Sequence, residues 1–341
     1  MYVPERYLDL RVAGHPLDFG RASQPEAWSG AALSPIYPLP GFFPILSLFQ
    51  VGNGDLTGFY WPVGREDREP ILCDTYHDDW TLEPLASSLE GLIKLKTAEG
   101  YAEPEDDEDG DYEAVREIAE QLGFSLPTPV AEEASPQLQL SLDPASPVAL
   151  KKAAAGASRA GDLEGAAGLL EHCLQVLPEY TEALLMLGSV YRRQGKLVEA
   201  AKKLIEGLGA PVCFGGDRQK ALQSVKRLRN EDYPELQDDP LWAQRQRLTF
   251  VTGVKKNDDF LVYEEAIATY LSQGKGILAV RLRMLIGELM WSETVSFRER
   301  YDYTDERHRQ LLGEEIKKAG LAARLIAIGV PDVSGHARRA S

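Results

Sequence analysis

Leucines, glycines and small residues recur at a fixed interval of 34 between positions 147 and 211 of this 341-residue chain. Leu150 pairs with Leu184, Gly161 with Gly195, Ala166 with Ala200, Leu170 with Leu204, and Cys173 with Gly207. A period of that length belongs to stacked supersecondary units, none of which buries its apolar face alone. The second half of the chain must therefore build helical hairpins side by side. Gly161 and Gly195 fall where a helix C-terminus calls for positive φ. Ala166 and Ala200 let paired helices approach, while Leu and Tyr at spacings of three and four form the shared stripe.

The run Leu184-x-x-Leu187-Gly188-x-x-Tyr191, with Ala200 downstream and Pro178 closing the preceding unit, resembles the tetratricopeptide repeat. Two repeats span 147–180 and 181–211, the first with Ala153, Ala154 and Ala157 where larger residues are usual. Tyr263, Tyr270, Gly274 and Ala279 keep the internal spacing of a degenerate third at 260–290, Ile267 and Arg283 do not fit it, and a non-repeat helical domain holding one repeat pair is the other reading. Two repeats fall short of a stable stack. Flanking helices, with 217–231 and 304–329 as candidates, are expected to complete it.

Upstream the texture changes. Residues 1–97 are rich in aromatics, Pro and Gly; 98–147 hold AEPEDDEDGDYE and a Pro/Ser-rich stretch; 148–341 read as helical. Of the net charge of −16, residues 1–95 carry 6 Lys/Arg against 13 Asp/Glu and residues 96–147 carry 2 against 14. The remainder is nearly balanced. Such acidity opposes a phosphate-binding surface in the first half, which would need clustered cations. Residues 98–147 bury little apolar surface and read as a mobile linker, apart from a short helix over Tyr112–Leu122.

Residues 41–62 read as two strands around Gly52-Asn53-Gly54-Asp55, a turn tolerant of positive φ. EPILCDTY supplies a further strand. Ser87-Ser88-Leu89-Glu90 then opens a helix, with Ser87 as its cap and Glu90 reaching back. The expected architecture is multi-domain: a small α+β domain with an antiparallel sheet, then an all-α domain of helical hairpins.

The segments VGNGDLTGFYW, PILCDTYHDDW and LEPLASSLEGLIKL resemble the SUKH superfamily, which includes the yeast cell-wall-synthesis regulator and many bacterial immunity proteins. The resemblance covers residues 36–96. It implies a binding role, typically the blocking of a cognate toxin by direct contact, and it carries over no catalytic residue.

Nothing in the residue pattern suggests an enzyme or a cofactor. No G-x-S-x-G elbow occurs, and VGNGDLTG lacks the lysine of a phosphate loop. Cys73, Asp74, His77, Asp78 and Asp79 cluster without partner ligands at metal spacing, and read as a strand end with an acidic turn. Cys73, Cys173 and Cys213 read as reduced, half-buried thiols. With no apolar span and no export signal, the chain is expected to be cytoplasmic, away from membrane and nucleic acid.

Candidate contact residues fall in two sets. Glu66, Asp67, Asp78, Asp79 and Trp80 would offer carboxylates and an aromatic anchor to a basic partner. On the repeats, Lys151, Arg159, Arg192 and Arg193 would line a basic groove, for an acidic peptide of a partner or for the chain's own acidic tract. The leading expectation is an immunity protein neutralising a secreted toxin, such as a basic nuclease of a type VI system. The alternative is an adaptor or chaperone gripping a peptide of a secretion or regulatory assembly.

Overall fold

The computed structural model describes residues 2, 4–16, 42–44, 56–75, 81–100, 111–130, 134–249, 259–291 and 295–328. A short helix α1 (Glu5–Leu8) and a two-stranded ribbon, β1 (Arg11–Val12) with β2 (His15–Pro16), open the chain. Four antiparallel strands follow in sequential order: β3 (Phe42–Pro44), β4 (Leu56–Tyr60), β5 (Ile71–Thr75) and β6 (Leu82–Ala86). The expected hairpin is present, with Phe42 opposite Tyr60 and Pro44 opposite Gly58. Its Gly-Asn-Gly-Asp turn lies outside the described residues. Strand β6 adds to the expected strands and leads directly into the closing helix.

Both faces of this sheet are covered. Phe59, Trp61, Leu72 and Ala86 enter one core with Tyr7 and Leu10. Helix α2 (Leu89–Ala98) adds Leu89, Leu92 and Ile93 to that core, and α3 (Asp111–Leu122) adds Val115 and Ile118. Tyr60, Ile71, Cys73 and Leu82 point the other way into a second core, which they share with the helical hairpins. The two-residue period of a strand divides its neighbours between the two cores. A strand covered on both faces buries consecutive side chains, as Ile71, Leu72 and Cys73 show.

The closing helix α2 is capped by Ser88, whose side chain accepts from Gly91 N, so the expected cap at Ser87 is corrected by one residue. Ser87 faces elsewhere: its N–H and hydroxyl both go to the carboxylate of Asp143, at 2.7 and 2.6 Å. Glu90 pairs with Lys94 at 2.5 Å rather than reaching back to the cap. The stretch read as a linker contributes packed helices, α3 and α4 (Pro136–Leu142), against α2.

The helical part begins with two antiparallel hairpins, α5 (Pro147–Ala160) with α6 (Leu163–Val176) and α7 (Thr181–Arg193) with α8 (Leu197–Leu208). Ser146 caps α5 ahead of a proline at its first position, and Asp162 caps α6. Gly161 and Gly195 take φ of +88° and +78° at the paired turns. Inside the second hairpin a Cβ on Gly188 would lie 2.8 Å from Leu204 Cγ, so glycine sets the helix spacing there. Helix α9 (Arg218–Lys226) packs next on α8, and the short α10 (Pro240–Gln244) precedes a third helical hairpin. That hairpin is α11 (Asp259–Ser272) with α12 (Gly276–Trp291). Helix α13 (Val295–Arg300), α14 (Asp305–Lys318) and a 3-10 turn over Ala322–Ile328 complete the described chain. The last of these folds back on the sheet unit, where Val63 packs among Val280, Met284, Leu312 and Leu325.

The three thiols are buried rather than half-buried. Burial pushes each above the ordinary thiol range, Cys173 to about 12. All three belong to the core between the sheet and the hairpins, despite their distance in sequence. Among the described residues no helix is long and apolar enough to cross a membrane.

Candidate binding groove

Two polar arrangements stand out, and they differ in access. The first is internal. Glu179, in the turn between α6 and α7, is 0% exposed. Its carboxylate accepts from the Tyr60 hydroxyl at 2.8 Å and Val63 N at 2.7 Å, and it faces Arg281 of α12 at 3.2 Å. Burial, with the Glu179 charge beside it, holds the Tyr60 phenol well above its usual range. Close by, Arg324 donates to the Trp61 carbonyl at 3.0 Å and to Glu66 at 2.8 Å. These contacts tie sheet, hairpins and C-terminal helices together, and their hydrogen bonds point inward.

Glu66 therefore corrects an expectation. It was read as a surface carboxylate, yet it is 6% exposed and paired with Arg324. The run Gly64–Glu69 turns tightly enough for Glu66 to accept from Gly64 N at 3.1 Å, which carries the side chain inward. Asp67 beside it is exposed. Asp78, Asp79 and Trp80, with His77, lie outside the described residues. Trp61 is a core residue whose indole donates to the Tyr2 carbonyl at 2.9 Å.

The second arrangement is open to solvent. A cleft of about 290 Å³ runs between α7 and α9. Leu185, Met186, Leu204 and Ala221 form its floor, while Glu182, Arg192, Asp217 and Lys220 form its rim. Only Arg192 of the expected basic set reaches it. Lys151 ion-pairs with Glu182 and lies 5.4 Å over the Tyr180 ring. Arg193 reaches back to Ser158, donating to its hydroxyl at 2.6 Å and its carbonyl at 3.1 Å, so it stitches α7 to α5. Arg159 donates to Ala155 O within its own helix.

The rim charges are unequal in their engagements. Glu182 is held by Lys151, and Asp217 caps α9 by accepting from Lys220 N at 2.9 Å. Among the described residues the side chains of Arg192 and Lys220 have no ion pair, and both are exposed. The groove thus has an apolar floor and two uncommitted cations. Lys220 and Asp217 carry no signal in the sequence because α9 shows no repeat signature, whereas Met186 sits on α7 within the repeat itself. Leu185, Met186, Ser189 and Arg192 share one helix face at spacings of one, three and three, a signal that was there to be read.

Fold and groove together define a multi-part protein: a sheet unit covered on both faces, then a helical stack that presents a concave surface. Two family models match this chain, the YfbP N-terminal domain over residues 28–111 and the YfbP C-terminal domain over residues 251–319. An Escherichia coli (strain K12) relative, "Uncharacterized protein YfbP", is 30% identical over 274 residues, covering 79% of this chain and 85% of its own length. The chain belongs to the YfbP family. Both α5–α6 and α7–α8 lie between the two matched segments.

Proposed function

We propose that the chain is a protein-binding adaptor whose hairpins, of the tetratricopeptide type, grip a short acidic and apolar peptide segment of a partner in the α7–α9 groove. The observation that carries this reading is the pairing of an apolar floor with Arg192 and Lys220, while the groove's own carboxylates are already engaged. Carboxylates of a partner would meet the free cations by charge-assisted hydrogen bonds, and its apolar side chains would cover Leu185 and Met186. The toxin-neutralising reading has less support, because Glu66 of its contact set is internal and Asp67 is the described surface carboxylate that remains.

Fluorescence anisotropy with a panel of labelled peptides alternating Asp/Glu with Leu/Phe tests the adaptor reading on the full chain. We expect binding that weakens with salt and falls at least tenfold in Arg192→Glu and Lys220→Glu, both surface changes. Peptides that bind these variants as well as the parent would overturn it. Co-expression with a toxin encoded beside this chain tests the other reading, with rescue of growth as its expected sign.

A further inference from the structure

Charge along the α7–α9 groove is ordered rather than mixed. We propose, resting on the adaptor reading, that the groove selects a partner segment whose apolar side chains form one block and whose carboxylates form the next. The apolar block lies towards the start of α7 and the acidic block towards its end.

Backbone closes one end of the groove. The Gly215–Gly216 turn, at φ of +69° and +94°, brings the chain down onto the start of α7. A Cβ on Gly216 would lie 3.0 Å from Leu185 Cδ1, 3.3 Å from Thr181 Cγ2 and 3.4 Å from Glu182 Cα, so glycine permits this close approach. Asp217 follows at once as the cap of α9, and the two helices start side by side. Both carboxylates of the rim, Glu182 and Asp217, therefore belong to the closed end.

Among the described residues lining that end, none offers a free cation. Lys151 is engaged by Glu182, and Asp217 accepts from Lys220 N at the start of its helix. A partner carboxylate placed there would meet like charge, and a partner lysine would meet acids that are already engaged. What the closed end does offer is apolar: Leu185 and Met186 lie about one turn past Glu182, with Leu204 on the same floor. The remaining charges of the lining are both cations. Lys220 stands three residues past Asp217, and Arg192 is in the last turn of α7. From Glu182 to Arg192 the helix rises about 15 Å, which about five extended residues would span. Apolar side chains at the closed end cover Leu185 and Met186, and carboxylates further on reach Lys220 and Arg192. A strictly alternating segment cannot do both, because one of its acids is left at the closed end.

Three labelled pentapeptides of one composition, acetylated and amidated, test this on the full chain by fluorescence anisotropy. They are Leu-Phe-Leu-Asp-Glu, its reverse Glu-Asp-Leu-Phe-Leu, and the alternating Leu-Asp-Phe-Glu-Leu. One of the two blocked isomers should bind about fivefold or more tighter than the alternating one. Glu182→Gln removes a charge from the closed end and releases Lys151, so it should narrow that gap to about twofold by strengthening the alternating isomer. Arg192→Glu, at the other end, should abolish the gap by weakening the blocked isomer. Equal binding of the three isomers would overturn the charge order and leave the adaptor reading standing, as would a gap that neither variant changes. Isomers that fail to bind where the longer alternating peptides succeed would overturn it too. Failure of every peptide would remove the adaptor reading itself, and this inference with it.

Discussion

Glu66 and Arg324 lie 258 residues apart, and their contact is one that no local pattern announces. The segment GREDREP reads as a solvated turn, because its charges alternate and nothing nearby would bury them. What draws Glu66 inward is a residue from the far end of the chain, itself 0% exposed and bound to the Trp61 carbonyl. Removing one member of such a pair leaves the other charge stranded in a dry site. Arg324→Met alone is therefore expected to cost about 3–5 kcal/mol, while Glu66→Leu with Arg324→Met recovers most of it. A double-mutant cycle from urea unfolding checks this. Single changes costing less than about 1 kcal/mol would mean that the pair does not hold the C-terminal segment to the sheet.

Elements built from local periodicity were legible in the sequence; those built from distant partners were not. The hairpins α5–α6 and α7–α8 follow from Leu, Ala and Gly at fixed spacing, signals that need no knowledge of the neighbours. Helix α3 was expected over Tyr112–Leu122 and is found over Asp111–Leu122. The cap of α2 moved from Ser87 to Ser88 because a competing acceptor, Asp143, arrives from 56 residues downstream and takes Ser87. The double coverage of the sheet was missed for the same reason, since its second cover comes from helices that follow an acidic stretch. Asp143 thus joins the start of the hairpins to the sheet unit: it holds Ser87, and Ala145 N donates to it at 3.2 Å. A Cβ on Gly91 would come within 2.6 Å of its carboxylate, so α2 runs tightly over it. Asp143→Ala strands the half-buried N–H of Ser87 and is expected to destabilise by about 1–3 kcal/mol, with Asp143→Asn milder. Urea unfolding measures the first effect. Proteolysis between α3 and α5, faster in the alanine variant, locates it.

At the scale of the whole molecule, two buried groups in the C-terminal helices set opposing responses to pH. Glu288 on α12 accepts from Val212 N and from Cys213 N at 3.1 Å, which docks α12 on the turn after α8. Burial pushes its carboxyl from 4.5 up to about 7. Between those values the native state keeps a proton that the unfolded chain has lost, so this group lowers stability as pH rises. His308 on α14 is hydrogen-bonded to the Tyr303 hydroxyl, and burial with the nearby Arg283 charge pulls it from 6.5 down to about 3. Here the unfolded chain takes up a proton that the native ring refuses, so stability falls as pH drops below 6.5. From pH 4.5 to 6.5 the two slopes have opposite sign, each up to about 1.4 kcal/mol per pH unit, and they largely cancel. The parent protein should show a nearly flat profile there. Glu288→Gln removes one side of the balance and leaves the His308 slope, so its stability should decline steadily from pH 6.5 towards 4.5. His308→Gln should do the reverse, gaining stability towards acid across pH 7 to 4.5. Urea unfolding at half-unit steps of pH reads all three profiles. If Glu288→Gln and the parent superimpose, the carboxyl is already ionised at neutral pH without penalty, and the docking of α12 on the second hairpin owes nothing to its protonation.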